Sequence, residues 1–257
     1  MKAEILFKGS PVTSFRTLLE QYAVTEFASP ARSTVPSIAF WSSPDNRIPD
    51  LANLLNLVRP IECRMEFEHL TTPPKGTGKE SHTDIMISWD DVCIGVEAKY
   101  TEGPYDTVSA WKTKGTSQAN REAVLDGWCN LIRARTNTEF PIEAVSDITY
   151  QMIHRLAAVC SAPQRRAHVI YQVFNPDDKK RTYYLSQLLK LKEAIGESDV
   201  VKLWVYYVDI VPSDNYRHLL RQWESHRRNC SSDVIAGLVS GSLMTFTHPV
   251  FEEVRLN

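Results

Sequence analysis

The chain is short of glycine, scatters its cysteines and contains no long apolar run. None of its 10 glycines forms a Walker-type or dinucleotide-type phosphate loop, so no nucleotide cofactor is expected. The five cysteines, Cys63, Cys93, Cys129, Cys160 and Cys230, are odd in number and include no CxxC pair, which argues against a disulfide framework and a zinc ribbon. Packed thiols are expected instead. Seven histidines show no HExxH and no paired metal spacing, so zinc hydrolase chemistry is not indicated. The longest apolar stretch, 200–211, carries Lys202 and Asp209 and is too short to cross a bilayer. Glu4 and Lys8 interrupt the opening residues, so no secretory apolar segment follows the start. A cytoplasmic protein with no membrane partner is the expectation. No internal repeat or low-complexity tract is visible.

What is present is ordinary for a folded chain: 257 residues, 43% hydrophobic and 23% charged. That length fits one elaborated α/β domain over 1–257, with a core at about 13–211 and a C-terminal extension at 212–257. The net charge of -2 conceals basic clusters at Gln164-Arg165-Arg166, at Lys179-Lys180-Arg181 and from Arg217 to Arg228. A polyanion needs only one basic face, so a near-neutral total leaves nucleic acid open as a partner.

Helical spacing of Phe15, Leu18, Leu19, Tyr22 and Ala23 predicts a helix over 13–28 with Ser14 as its cap. Pro30, Pro36 and Pro44 then read as an irregular connection, and a second helix is predicted over 48–57. From Glu62 the period becomes two, with Cys63, Met65 and Phe67 on one face and Glu62, Arg64, Glu66 and Glu68 on the other. Strands over 83–88 and 92–100 follow, joined by a tight turn at Asp90-Asp91. Helices are predicted over 120–133, 145–159, 183–195 and 215–227, the third capped by Gly196, with strands over 167–174 and 201–211. Hairpin strands followed by helical crossovers imply a mixed β-sheet flanked by helices.

Alternation along 92–100 puts Glu97 and Lys99 on one face and Ile94, Val96, Ala98 and Tyr100 on the other. A hairpin through Asp90-Asp91 brings Asp84 beside Glu97. Two carboxylates and a backbone carbonyl, from Asp84, Glu97 and Ala98, are a donor set for a hard cation such as Mg²⁺ or Mn²⁺. A metal there lowers the pKa of a bound water and neutralises a phosphate oxygen, while Lys99 orients the nucleophile or stabilises developing charge. Ser81, His82 and Asp84 look triad-like on paper, but neighbours along one strand do not adopt that mutual geometry.

The segments His82-Thr83-Asp84-Ile85-Met86-Ile87 and Ile94-Gly95-Val96-Glu97-Ala98-Lys99-Tyr100 resemble the PD-(D/E)xK restriction-endonuclease-like superfamily, whose motif is an Asp followed at a variable distance by Glu-x-Lys. Thr83 stands where that family often has Pro. The resemblance implies a restriction-endonuclease-like αβββαβ core and a metal-dependent nuclease, with Asp84, Glu97 and Lys99 catalytic and Asp84, Glu97 and Ala98 as metal ligands. It implies Mg²⁺ or Mn²⁺ as cofactor and nucleic acid as substrate, DNA in preference to RNA, in restriction, phage defence or mobile-element biology. Some relatives carry a further acidic residue on the first helix or strand, a role for which Glu20, Glu26, Glu66 and Glu68 compete, with Glu20 or Glu66 chosen. Several branches have Gln-x-x-x-Tyr on the following helix. Here Gln151 is followed at that spacing by Arg155, a sensible phosphate contact.

Two readings follow: a nuclease, as a homodimer or as a component of a larger defence complex, or a noncatalytic nucleic-acid-binding or assembly module that keeps the fold.

Overall fold

The computed structural model describes residues 1–114 and 117–256. Its strands are β1 (Lys2–Phe7), β2 (Ser10–Pro11), β3 (Glu62–Thr71), β4 (Ser81–Trp89), β5 (Val92–Lys99), β6 (Arg166–Phe174), β7 (Val201–Pro212) and β8 (Met244–Glu253). They make one sheet in the order β2-β1-β3-β4-β5-β6-β7-β8. Pairing is parallel for β1/β3, β5/β6 and β6/β7 and antiparallel elsewhere. The α/β class and the mixed sheet flanked by helices are as expected.

One face of the sheet is covered by α1 (Phe15–Gln21), α2 (Thr34–Trp41), α3 (Pro44–Leu54), α8 (Asp214–His226) and α9 (Ser231–Ser240). The other carries α4 (Val108–Thr113), α5 (Gln118–Thr136), α6 (Tyr150–Cys160) and α7 (Asp178–Ile195). Alternation sorts the strand residues between these layers. Met65, Phe67, Ile94, Val96 and Ala98 join the first, while Met86, Cys93, Val169 and Tyr171 join the second. All five cysteines are unpaired and buried.

Several expected boundaries move, each for a local reason. The helix predicted over 13–28 stops at Gln21, because Tyr22 turns extended to pack its ring between Phe7 and Phe27. Its Ser14 cap is as expected, accepting from the Thr17 amide. The proline-rich connection contains α2, with Pro36 in the first turn, where a missing amide proton does no harm. For the same reason α3 starts at Pro44 rather than at Ile48. The helix predicted over 145–159 starts only at Tyr150, since the preceding backbone pairs with residues 106–109 through Val108 N to Ile148 O and Tyr150 N to Asp106 O. Asp177 caps α7 from the Lys180 amide, which sets its start five positions earlier than expected, and Gly196 ends it at φ 74°. Strands β1, β2 and β8 and helix α9 lie outside the expected pattern altogether.

Gly95 decides how closely α6 approaches the sheet. A Cβ at that position would lie 2.4 Å from Val159 Cγ2, so the helix rests directly on the β5 backbone. Val159, Arg155 and Gln151 follow one another at four-residue spacing along α6. Docking Val159 on Gly95 therefore aims the other two along β5 toward Glu97.

Candidate active site

Strands β4 and β5 pair in register from Trp89↔Val92 to Ile85↔Val96 and then part. At the parting, the Ala98 amide donates to Asp84 Oδ2 at 2.7 Å. One residue on either side of Ala98, the Glu97 and Lys99 side chains turn toward α6. Glu97 is 2% exposed and Lys99 3%, and their Oε1 and Nζ are 2.8 Å apart. Gln151 Nε2 donates to the same Oε1 at 2.8 Å, and Arg155 Nε to Oε2. Arg155 Nη1 reaches on to Ser81 Oγ at 2.8 Å, and Ser81 Oγ meets His154 Nδ1 at 2.7 Å. The Lys99 ammonium also lies 4.5 Å from the ring centre of the half-exposed Tyr105, which marks the side on which the cluster meets solvent.

The two carboxylates live in opposite electrostatic environments. Burial alone would raise Glu97, but Arg155 and Lys99 overcome that and hold it below the ordinary carboxylate range. Asp84 is pushed well up, by burial first and by the Glu97 charge second, with Lys99 and Arg155 only partly offsetting this. Lys99 is raised despite its burial, because Glu97 and Asp84 favour its charge. His154 is held well below its usual range by burial and then by Arg155 and Lys99, and so stays neutral.

Asp84, Glu97, Lys99 and the Ala98 backbone thus come together, and Gln151 and Arg155 join them. Arg155 is turned inward onto Glu97 and Ser81, 7% exposed, and so is not a surface contact for a phosphate. The structure does not bring Glu20 or Glu66 to the cluster. Glu20 is exposed on α1 beside a groove lined by Ile235 and Val239 of α9. Glu66 faces Met86 across the ladder and is taken up by Arg64 at 3.3 Å and His69 at 3.1 Å. Glu26, on a short 3-10 turn, pairs with Arg32. The carboxylate beside Asp84 is that of Glu68, which the register sets opposite it between Phe67↔Ile85 and His69↔Thr83. Glu68 has φ 53° and bonds His82 at 3.3 Å, and burial raises its pKa.

Ser81, His154 and Tyr171 were not expected at the site. The Tyr171 hydroxyl is fully buried, has no hydrogen-bond partner among the described residues, and is raised by burial and then by the Glu97 charge. Glu102, just past Lys99, accepts from the Ser33 and Tyr100 amides at 2.8 Å each and so ties β5 to the start of α2. Trp111 is sandwiched between Tyr150 and Arg121, which leaves neither ring face for a base. Among the described residues, no group of three or more His, Cys, Asp and Glu is arranged around one metal position.

The family described as Domain of unknown function (DUF6946) matches residues 11–210. The chain belongs to that family. The match takes in β4, β5, α6 and β6, the elements that contribute to the cluster, so the charged centre lies inside the DUF6946 domain. No curated protein and no solved structure matches the chain. Among the described residues of this DUF6946 chain, no helix is long and apolar enough to cross a membrane.

Proposed function

We propose that this chain is a metal-dependent nuclease of the PD-(D/E)xK type, with a restriction-endonuclease-like core and its reacting groups at Asp84, Glu97 and Lys99. The observation that carries the reading is the convergence of a buried carboxylate, a half-buried one and a lysine where two antiparallel strands part, with α6 supplying a donor to each Glu97 oxygen. DNA is the substrate proposed.

The residues fit a divalent cation on chemical grounds. Among the described residues Asp84 Oδ1 accepts no hydrogen bond, and burial and the Glu97 charge push the Asp84 carboxyl well above its ordinary range, a condition a cation relieves. Asp84, Glu97 and the Ala98 carbonyl would hold Mg²⁺ or Mn²⁺, which supplies an activated water and charge neutralisation at a phosphate oxygen. Lys99 keeps an ammonium beside the reacting position for the charge that develops on phosphorus-bound oxygen. Arg155 and Gln151 fix the orientation of the Glu97 carboxylate, and Arg155 is anchored in turn by Ser81.

The test is cleavage of single- and double-stranded DNA and RNA with Mg²⁺ or Mn²⁺ by wild type, Asp84→Asn, Glu97→Gln and Lys99→Ala, with melting curves confirming that each variant folds. Loss of cleavage in all three is expected, and cleavage that survives all three replacements ends the proposal.

One observation favours the noncatalytic alternative. Glu97 is already neutralised by Lys99 and Arg155, as in a purely structural ion-pair network. Mn²⁺ titration separates the two, because only the nuclease reading requires a saturable site that disappears in Asp84→Asn.

A further inference from the structure

A groove of about 340 Å³ opens beside the charged cluster, between the β3–β4 connection and helices α5 and α6. It is lined by Lys79, Ser81, Arg121, Trp128, Tyr150 and His154, among others. Its walls are set in advance. The Thr77 amide and carbonyl are both held by the Asn120 side chain, at 2.7 and 2.6 Å, and Lys75 pairs with Asp126 at 2.6 Å. A Cβ at Gly127 would lie 3.0 Å from the Lys75 amide nitrogen, so the connection runs directly over α5. Arg121 is fixed as well, its guanidinium 4.8 Å from the Trp111 ring centre and one nitrogen on the Trp111 carbonyl.

Hydrogen-bond logic determines what His154 offers. Arg155 Nη1 lies 2.8 Å from Ser81 Oγ and 3.1 Å from His154 Nδ1, and a guanidinium can only donate. Ser81 therefore accepts from Arg155 and directs its own proton to His154 Nδ1. Two donors on Nδ1 leave that nitrogen without a proton, so a neutral His154 carries its proton on Nε2. Among the described residues Nε2 has no hydrogen-bond partner, and His154 lines the groove. Among the described residues lining the groove the one carboxylate, Glu80, is bonded by the Thr72 hydroxyl at 3.1 Å. Lys79 forms no ion pair among the described residues. The groove therefore presents two cations, one carboxylate turned to Thr72 and one neutral donor, and it adjoins the catalytic cluster through Ser81 and Arg155.

We propose that this groove binds a backbone phosphate of the nucleic-acid strand, next along from the phosphate at Asp84 and Glu97, through Lys79, Arg121 and the His154 Nε2 proton. The inference rests on the nuclease reading and adds a positioning subsite to it. Phosphate contacts of this kind set register and orientation without reading sequence. Trp111 contributes by holding Arg121 rather than by stacking on a base.

The experiment measures binding of a short fluorescein-labelled single-stranded oligodeoxynucleotide in EDTA, so that no cleavage is needed, over a series of salt concentrations. Lys79→Ala/Arg121→Ala is expected to weaken binding about tenfold and to flatten the salt dependence by roughly 1.4 in log–log slope, two lost phosphate contacts. Arg217→Ala/Arg221→Ala on α8, which removes equal charge from the other layer, is expected to bind as wild type. Arg121 is half-buried against Trp111 while the other three residues are exposed, and melting curves verify that both variants fold. In the folded protein, ¹⁵N NMR of the His154 ring should show the proton on Nε2 and a shift of that signal when the oligonucleotide is added.

Wild-type binding by the Lys79/Arg121 variant overturns the proposal, as does equal weakening by the α8 variant, a His154 signal that does not move, or no binding by wild type. None of these outcomes touches the nuclease reading, which is decided by metal-dependent cleavage and its loss at Asp84, Glu97 and Lys99.

Discussion

Asp84 and Glu97 show how one buried site drives two identical functional groups apart. Glu97 has two cations and is held below the ordinary carboxylate range, while Asp84 has the Ala98 amide and a nearby negative charge and is pushed well above it. The folded chain therefore binds a proton at Asp84 more tightly than the unfolded chain does. Its contribution to stability is complete below the ordinary carboxylate range and is lost as pH rises through the elevated folded pKa. In EDTA, Asp84→Asn should raise Tm by several degrees at alkaline pH and flatten the decline that wild type shows as pH rises from the ordinary carboxylate range, since an amide oxygen still accepts from Ala98. Differential scanning fluorimetry across pH checks this. Lower Tm for the variant throughout would show that the charge stabilises the apo fold. Arg155→Leu removes one of the two cations on a buried carboxylate and should cost about 3–5 kcal/mol in urea unfolding. Gln151→Ala, which removes a neutral donor to the same oxygen as Lys99, should cost about 1–3 kcal/mol.

At the scale of elements, the contact between α6 and Gly95 sets the depth of the site. Gly95→Ala forces a methyl group against Val159, whose branched side chain has little rotamer freedom in a helix. The expected loss is about 1–3 kcal/mol by chemical denaturation, together with lower activity as Gln151 and Arg155 withdraw from Glu97. Adding Val159→Ala should recover part of both, a coupling that a double-mutant cycle measures directly.

Local patterns make this part of the molecule legible in the sequence. Asp84, Glu97 and Lys99 lie on a hairpin closed by Asp90-Asp91, and alternation alone orients the last two. Gln151 and Arg155 could be placed on one helical face, but not directed at Glu97, because that depends on a glycine contact 64 residues from Val159 in sequence. Ser81 and His154 are 73 residues apart and carry no local signal at all. Strand β1 carries no local signal because its partner β3 begins some sixty positions later, and α2 is hidden because three prolines obscure a helix that tolerates one in its first turn. Alternation puts Glu66 and Glu68 on one face and so does not tell them apart, and only the register shows that Glu68 faces Asp84.

For the whole molecule, the C-terminal strand matters beyond its distance from the site. β8 pairs with β7 from Pro212↔Met244 to Trp204↔Glu253, and its Phe246 and Phe251 rings pack on Phe40, Phe174, Trp204 and Tyr206. A chain ending at Ser242 would leave β7 as an open edge carrying exposed aromatic rings. Such a truncation should aggregate, seen as loss of the monodisperse peak in size-exclusion chromatography with light scattering, whereas a soluble species with unchanged melting would show that the edge needs no cover.

The hydrogen bonds around Glu97 also have an order in time. Fifty-eight residues separate Glu97 from Arg155, and 74 separate Ser81 from Arg155. During synthesis the hairpin bearing Asp84, Glu97 and Lys99 leaves the ribosome well before the helix that neutralises Glu97 and covers Ser81. Until α6 arrives, those carboxylates have no dry place to go and remain hydrated. The centre is thus completed by the second half of the domain, so a chain interrupted before α6 holds the motif without the site.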